Sequence, residues 1–220
     1  MREGGGMEDR STPGLYLEMT DGSPDAYATT RVPDVLARDG VTRATWWRNE
    51  RRDRRDLPRR LPELDVLGVY EVDTSFAPPD APDGVRAHHF RRCPRPGQGR
   101  LTGRPTIGLS LVLISPRHDG EAQALRDWGD FVHIRHIAEA AVPGYSMITP
   151  YENATAGATP RFMHLYEIDR EDPESVFASM TPLVTARLGG ADTPEWKHWA
   201  HTPELCIDYV NTFALIGARA

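Results

Sequence analysis

The sequence predicts an α+β fold made of two similar halves, each with the element order β-α-β-β-α-β of the ferredoxin-like arrangement. The first observation is an internal sequence repeat, called the sequence echo below. Residues 14–19 resemble residues 108–113, and residues 69–73 resemble residues 165–169, at a distance of roughly 95 residues. The second observation is that strand and helix patterns follow one another in this order in the second half. A repeat of this size predicts two lobes that share one core.

The first half contains four predicted strands and one predicted helix. The strands are residues 15–19, 41–48, 64–73 and 85–92, and the helix covers residues 25–38. Pro33 limits the regularity of this helix, because proline cannot donate the backbone hydrogen bond. The second helix of the unit is predicted to be lost, because Pro78, Pro79 and Pro82 fall where it would lie. The first half is therefore predicted to be a degenerate copy.

The second half is predicted to be complete. Residues 107–115 form an apolar run of strand length, and residues 121–141 carry apolar side chains at helical spacing until Pro143 and Gly144 end the pattern. The remaining predicted elements are a hairpin of residues 145–151 and 161–169, a helix from Pro173 to about Leu188, a loop with Trp196 and Trp199, and a last strand over residues 206–216.

These elements divide the chain into four parts. Residues 1–13 are predicted to be a disordered leader, and residues 14–93 the first lobe. Residues 94–106, rich in glycine, proline and arginine, are predicted to be the linker before the second lobe of residues 107–220. A second arginine-rich stretch, residues 48–60, has acidic residues between its arginines and is predicted to be a solvated loop, with anion binding as the alternative.

Composition excludes several classes of function. The net charge of the 220 residues is −6, which argues against general nucleic-acid binding, because that needs a basic face. The sequence has no apolar run long enough to span a bilayer and only two cysteines, Cys93 and Cys206, which are not in a CxxC pair. A reduced, cytoplasmic location is the simplest expectation. The sequence also lacks the phosphate-binding and nucleophile-elbow motifs of nucleotide-binding proteins and α/β-hydrolases.

The second half resembles the EthD-like group of the dimeric α/β-barrel superfamily. The residues that carry the resemblance are residues 128–136 on the first helix, the Val-Pro-Gly-Tyr exit at residues 142–145, the strand end at residues 166–169 and residues 175–180. The resemblance covers about residues 107–216, with a weaker echo in the first half. It implies that a barrel, which other members build from two chains, forms here within one chain. A homodimer of such barrels stays open.

The resemblance also implies candidate residues and chemistries. The family places an aromatic residue and then a histidine on this helix, about two turns before the Pro-Gly exit, and His136 matches that position. The superfamily includes lyases, cyclases, cofactor-independent monooxygenases and haem enzymes. No cofactor is expected, although haem bound through His136 or His164 is an alternative. The activity cannot be taken from the fold.

The residues themselves point to acid–base chemistry. His133 and His136 lie three apart on one helical face, near Asp130 and Glu139, and a histidine beside a carboxylate is a serviceable general acid or base. Both histidines equally fit ordinary charge pairs at the solvent edge. His164 and Tyr166 share one face of a predicted strand, where they would be either pocket residues or hydrogen-bonded core residues.

Further candidates come from the last strand and the helix. Tyr209 and Asn211 share a face, and both are predicted to contact substrate together with Trp128, while the tryptophans are also normal packing residues. His198 and His201 lie three apart, but no HExxH motif or cysteine pair accompanies them, so no metal site is expected.

These observations lead to one functional hypothesis and two alternatives. The hypothesis is a cofactor-independent enzyme that acts on a small, largely apolar metabolite with a carbonyl or phenol group, by lyase, dehydratase or cyclase chemistry or in the manner of a monooxygenase. His136 and His164 would transfer protons, and Tyr166 and Asn211 would bind the substrate oxygen. The alternatives are a non-catalytic protein that binds a small molecule or serves as a scaffold, and a haem-dependent enzyme.

Overall fold

The computed structural model describes residues 12–57 and 59–220, so residues 1–11 of the predicted leader lie outside the described residues. The strands are β1 (Gly14–Thr20), β2 (Val41–Asn49), β3 (Val66–Val72), β4 (Val85–Arg92), β5 (Gln98–Gly99), β6 (Gly108–Pro116), β7 (Tyr145–Asn153), β8 (Phe162–Ile168) and β9 (Leu205–Arg219). The helices are α1 (Pro24–Leu36), α2 (Ala122–Trp128), α3 (Ile134–Glu139), α4 (Pro173–Arg187) and α5 (Pro194–Ala200).

Eight strands close into one antiparallel barrel. Their order is β4-β1-β3-β2-β9-β6-β8-β7, and β4 pairs with β7 to complete the ring. β5 adds a short pairing to the other end of β7. The predicted α+β fold is confirmed, and all eight strands come from one chain. The strand order within each half, 4-1-3-2, is that of a ferredoxin-like unit.

The ladders of the two halves have the same register at the positions that the sequence echo aligns. Gly14 pairs with Val72 in the first half, and Gly108 pairs with Ile168 in the second. The spatial pairing thus agrees with the sequence alignment. That the halves arose by tandem duplication stays a prediction.

The helices differ from the prediction in two places. Residues 121–141 were expected to form one helix, but a π-helical turn at Gly129–His133 divides it into α2 and α3, and a 3-10 turn at Asp119–Glu121 precedes α2. The expected loop around Trp196 and Trp199 contains α5, whose N-cap Thr193 accepts a hydrogen bond from the Trp196 amide. The loss of the second helix in the first half is confirmed, since no helix lies between β3 and β4.

The barrel interior contains a continuous apolar cluster. Every second side chain of the strands points inward, and buried Leu17, Leu111 and Leu165 belong to one continuous cluster inside the ring. On β8 the inward residues are therefore Met163 and Leu165, while His164 and Tyr166 face outward, toward the helices. The expected pocket accordingly lies outside the barrel rather than within it.

The arginine-rich stretch of residues 48–60 is more than a solvated loop. The Arg54 side chain is only 1% exposed and forms ion pairs with Asp56 and Glu174. Its Nε donates a hydrogen bond of 3.2 Å to Asn211 Oδ1, and its guanidinium lies 4.6 Å from the centre of the Phe177 ring. The prediction was wrong at this residue because α4 and β9 of the other half cover it.

Candidate functional site

A cavity of about 510 Å³ lies between the outer face of the second half's strands and the helices that cover it. The strands β6, β8 and β9 form its floor, and α2, the π-helical turn, α4 and α5 form its walls. The aromatic residues among its lining are Trp128, His133, His164, Tyr166, Phe177, Trp196 and Trp199. Mostly apolar walls with a few polar groups are typical of a small-molecule site.

His164 is a buried polar residue of this lining, with an exposure of 4%. Its Nε2 lies 3.2 Å from Oδ1 of Asp130, a carboxylate that is 2% exposed. A carboxylate at this distance favours the tautomer in which Nε2 carries the proton. The Nδ1 atom has no hydrogen-bond partner among the described residues. It is therefore the ring nitrogen that can accept a proton from a ligand.

The π-helical turn brings the helix residues to His164. Gly129 begins this turn, and a Cβ atom at Gly129 would lie only 2.8 Å from Cε1 of His164. Only glycine therefore allows the ring to approach the helix backbone this closely. The neighbouring residue, Asp130, points its carboxylate to the same ring. π-helical turns are frequently found at functional sites.

His133 ends the π-helical turn and is the second histidine of the cavity. Its ring stacks on Trp199 at 5.3 Å and lies 4.9 Å from the Trp128 ring. Residues five apart share a face in a π-helix, which is why Trp128 and His133 meet. His133 Nδ1 lies 3.0 Å from the carbonyl oxygen of Trp199, so Nδ1 donates the hydrogen bond. Burial lowers the pKa of His133 to about 4, and the ring is therefore neutral at pH 7.

The lowered pKa of His133 predicts a loss of stability in mild acid. The folded protein binds this proton only near pH 4, whereas the unfolded chain binds it near pH 6.5, so stability falls as the pH drops from 6.5 to 4. At pH 5 we expect the free energy of unfolding to be lower by roughly 1–2 kcal/mol on account of His133, after discounting for the partial exposure of its ring. Urea unfolding at pH 7.5 and 5 should show a smaller loss of stability at the lower pH for His133→Phe than for the wild-type protein. An equal loss in both proteins would contradict this assignment.

Tyr166 and Trp128 also lie where the sequence-based hypothesis needs them, in the cavity lining. The Tyr166 hydroxyl has no hydrogen-bond partner among the described residues. Burial raises the pKa of Tyr166 well above its ordinary value, so the hydroxyl stays protonated and can donate a hydrogen bond. The Trp128 indole N–H is already used, because it donates to the carbonyl of His198 at 2.7 Å. Trp128 therefore contributes an apolar wall.

The first half of the chain contributes to the cavity as well. Asp56 and Leu57 line it, and they lie two and three residues after buried Arg54 in the loop between β2 and β3. Arg54 packs on Phe177, another lining residue of α4. Arg54 thus fixes both the loop and the helix that meet at this side of the cavity.

Three predicted site residues lie away from the cavity. His136 is not part of the cavity lining, and its Nδ1 lies 3.6 Å from the Glu139 carboxylate. Tyr209 and Asn211 belong to the inward face of β9, and both donate hydrogen bonds of 3.0 Å to Glu63. The amide of Asn211 also receives the Arg54 hydrogen bond, so its polar atoms are engaged within the protein. The structure does not bring these three residues to His164.

The corresponding place in the first half is filled. Gly68 aligns with His164, and a Cβ atom at Gly68 would lie 1.9 Å from the hydroxyl of Tyr27. Tyr27 reaches into this space from α1 and forms hydrogen bonds to Tyr70 at 2.7 Å and to Glu18 at 3.0 Å. A tyrosine thus occupies the volume that the second half leaves for the His164 ring.

Haem bound through a histidine stays the alternative that the family resemblance implies. The described residues that line the cavity include the histidines His133 and His164, one carboxylate, Asp56, and no arginine or lysine. No group of three or more metal-ligating side chains is found within residues 12–57 and 59–220.

The fold of this chain is similar to the folds of several solved structures. The chain is similar to an anthrone oxidase-like protein, with a TM-score of 0.54 and 13% identity over 96% of this chain and 94% of that chain. It is also similar to a putative monooxygenase from Fusobacterium nucleatum, with a TM-score of 0.51 and 4% identity over 95% of each chain. The fold is that of the dimeric α/β barrels.

A third barrel of this kind is a mutant chlorite dismutase from Candidatus Nitrospira defluvii. Its TM-score is 0.53 at 10% identity, over 94% of this chain and 93% of that chain. No family model matches the sequence, and no curated protein matches it either. At such identities the likeness concerns the barrel fold. No helix in the described part of the chain is long and apolar enough to cross a membrane.

Proposed function

We propose that this protein is a cofactor-independent enzyme of the EthD-like type, which removes a proton from a small, largely apolar substrate that carries a carbonyl or phenol group. The observation that carries the proposal is the pairing of His164 with buried Asp130 at the edge of an apolar cavity. A histidine held by a carboxylate through one nitrogen and unpaired at the other is organised as a general base.

The proposed step uses three side chains. Nδ1 of His164 accepts a proton from a carbon that is conjugated with the substrate carbonyl, either next to it or across an aromatic ring. The electron pair of the C–H bond moves through the conjugated system onto the carbonyl oxygen, which gives an enolate. The Tyr166 hydroxyl donates a hydrogen bond to that oxygen, where the negative charge develops. The Asp130 carboxylate stabilises the imidazolium that forms. Lyase, dehydratase, cyclase and cofactor-independent oxygenase reactions can all begin with this step.

The shape and polarity of the cavity favour an aromatic substrate. Trp128, Trp196 and Trp199 offer flat apolar surfaces along one side of the site. The name of one structural neighbour, an anthrone oxidase-like protein, suggests a test compound of the right kind. Anthrone is a tricyclic aromatic ketone with an acidic methylene group. If O2 then attacks the enolate, the balanced reaction is anthrone plus O2 to anthraquinone plus water.

The proposal predicts that the protein catalyses exchange of the anthrone methylene protons with solvent deuterium. The exchange reports proton removal directly and does not depend on the later step. Proton NMR in D2O buffer without oxygen should show a saturable rate well above the rate in buffer alone. Oxygen is excluded because it oxidises anthrone in the absence of protein.

The same experiment separates catalysis from simple binding. The non-catalytic alternative is favoured by the same cavity, and it predicts that anthrone quenches tryptophan fluorescence while its exchange rate stays at the buffer value. If neither exchange nor quenching is found with anthrone or with a phenol such as 1-naphthol, the proposed substrate class is wrong.

A further inference from the structure

The linker between the two halves reaches the candidate base. Arg95, which lies in the predicted linker of residues 94–106, donates a hydrogen bond of 2.8 Å from Nη1 to Oδ2 of Asp130. Its other terminal nitrogen donates to Oδ1 of Asp127 at 2.7 Å. Gln98, three residues later, donates from its side chain to the carbonyl oxygen of Asp130. The linker is thus bound to the π-helical turn that carries the carboxylate.

The two oxygens of Asp130 have separate partners. Oδ1 faces His164, and Oδ2 faces Arg95. Arg126 is the other cation near this carboxylate, but its Nε lies 3.9 Å from Oδ2 and its Nη1 donates to Glu152 at 3.0 Å. Arg95 therefore makes the shortest cationic contact with Asp130.

The position of Arg95 is itself well defined. Its side chain is 18% exposed, and its guanidinium lies 4.6 Å from the centre of the Phe131 ring, which covers one face of the group. The planar guanidinium can bind two carboxylates at once in a fixed geometry, as it does here with Asp127 and Asp130. A lysine could not reproduce both contacts.

The contact with Arg95 fixes the orientation of the Asp130 carboxylate, because Oδ2 is held by the guanidinium while Oδ1 faces Nε2 of His164. Without Arg95 the carboxylate could rotate, and Nε2 would lose its acceptor. The imidazole proton would then also occupy Nδ1, and in that tautomer Nδ1 cannot accept a proton.

We propose that Arg95 is a positioning residue that, through Asp130, holds His164 in the tautomer with the proton on Nε2. The predicted effect of Arg95 on the reaction rate rests on the proposed function, but the tautomer of His164 can be measured without substrate. The linker joins the two halves along the chain. Through Arg95 it also supplies a residue that orders the site.

The test compares Arg95→Met with wild-type protein by ¹⁵N NMR of the histidine side chains at pH 8. In the wild type we expect the signals of His164 to report a proton on Nε2 alone. In Arg95→Met we expect a mixture of tautomers, together with a fall of the anthrone exchange rate by about 10-fold or more at unchanged affinity for anthrone. Arg135→Met is the matched control, because Arg135 is exposed on the same helical segment and pairs with Glu139 instead.

Arg95→Lys is the second variant, in case Arg95→Met does not fold. It keeps the charge but not the paired contacts, so we expect an intermediate tautomer ratio. A single Nε2-protonated tautomer in both Arg95 variants would overturn the proposal and leave Arg95 as an anchor of the linker. A tautomer change without any exchange activity in the wild type would support the positioning role and refute the proposed function.

Discussion

Replacing His164 by glutamine is expected to lower the exchange rate of anthrone by roughly 100-fold to 10,000-fold. The glutamine amide can still donate a hydrogen bond to Asp130, so the buried carboxylate keeps a partner. It cannot accept a proton, and the base is therefore lost without a large change of shape. Proton NMR in D2O measures the rate, and quenching of tryptophan fluorescence should show that anthrone still binds.

The matched comparison is His136→Gln, which tests the residue that the family resemblance favoured. His136 lies outside the cavity lining beside Glu139, so its substitution should leave the exchange rate within about twofold of wild type. The opposite pattern, with loss of exchange in His136→Gln and not in His164→Gln, would return the role of base to His136 and contradict the cavity assignment.

Removal of the Arg54 side chain is expected to destabilise the protein by roughly 3 kcal/mol, because it breaks a buried ion pair and removes a packed side chain. Arg54→Ala would leave Glu174 with Arg51 and Thr212 as partners, so we expect the lower end of the range for buried pairs. Urea unfolding at pH 7.5 measures the change in the free energy of unfolding.

The neighbouring Arg55 provides the control. Its side chain is exposed, and Arg55→Ala should change the free energy of unfolding by no more than about 0.5 kcal/mol. The double variant Arg54→Met with Glu174→Gln should lose less stability than the sum of the single variants, because each single change already removes the same Arg54–Glu174 contact. A loss below about 1 kcal/mol in Arg54→Ala would show that the contacts of Arg54 contribute little.

Much of the fold could be predicted from local patterns. Alternating or continuous apolar segments set the eight barrel strands, and the prolines at 78, 79 and 82 explain the missing helix between β3 and β4. The π-helical turn could not be predicted in this way. Its residues have the spacing of an α-helix in the sequence, and the turn follows from the contacts of Gly129 with His164 and of His133 with Trp199.

The candidate site was predicted only in part, because which side chains reach the cavity also depends on tertiary contacts. His164, Tyr166 and Trp128 line the cavity, and their roles there stay predictions. Asn211 and Tyr209 have suitable polar groups, but whether a strand residue faces a cavity or the inside of a barrel depends on which face the sheet turns inward. His133 was noted beside His136, yet only the π-helical turn decides which of the two reaches the cavity.

The sequence by itself determined the two-part β-α-β-β-α-β order, because strand and helix periods are properties of neighbouring residues. Tertiary structure alone decided that an apolar cluster lies inside the barrel, that the cavity lies under the helices of the second half, and that Arg54 and Arg95 join elements far apart in the chain. The reason is physical. Burial, desolvation and the partner of each charge depend on segments that meet only when the barrel closes.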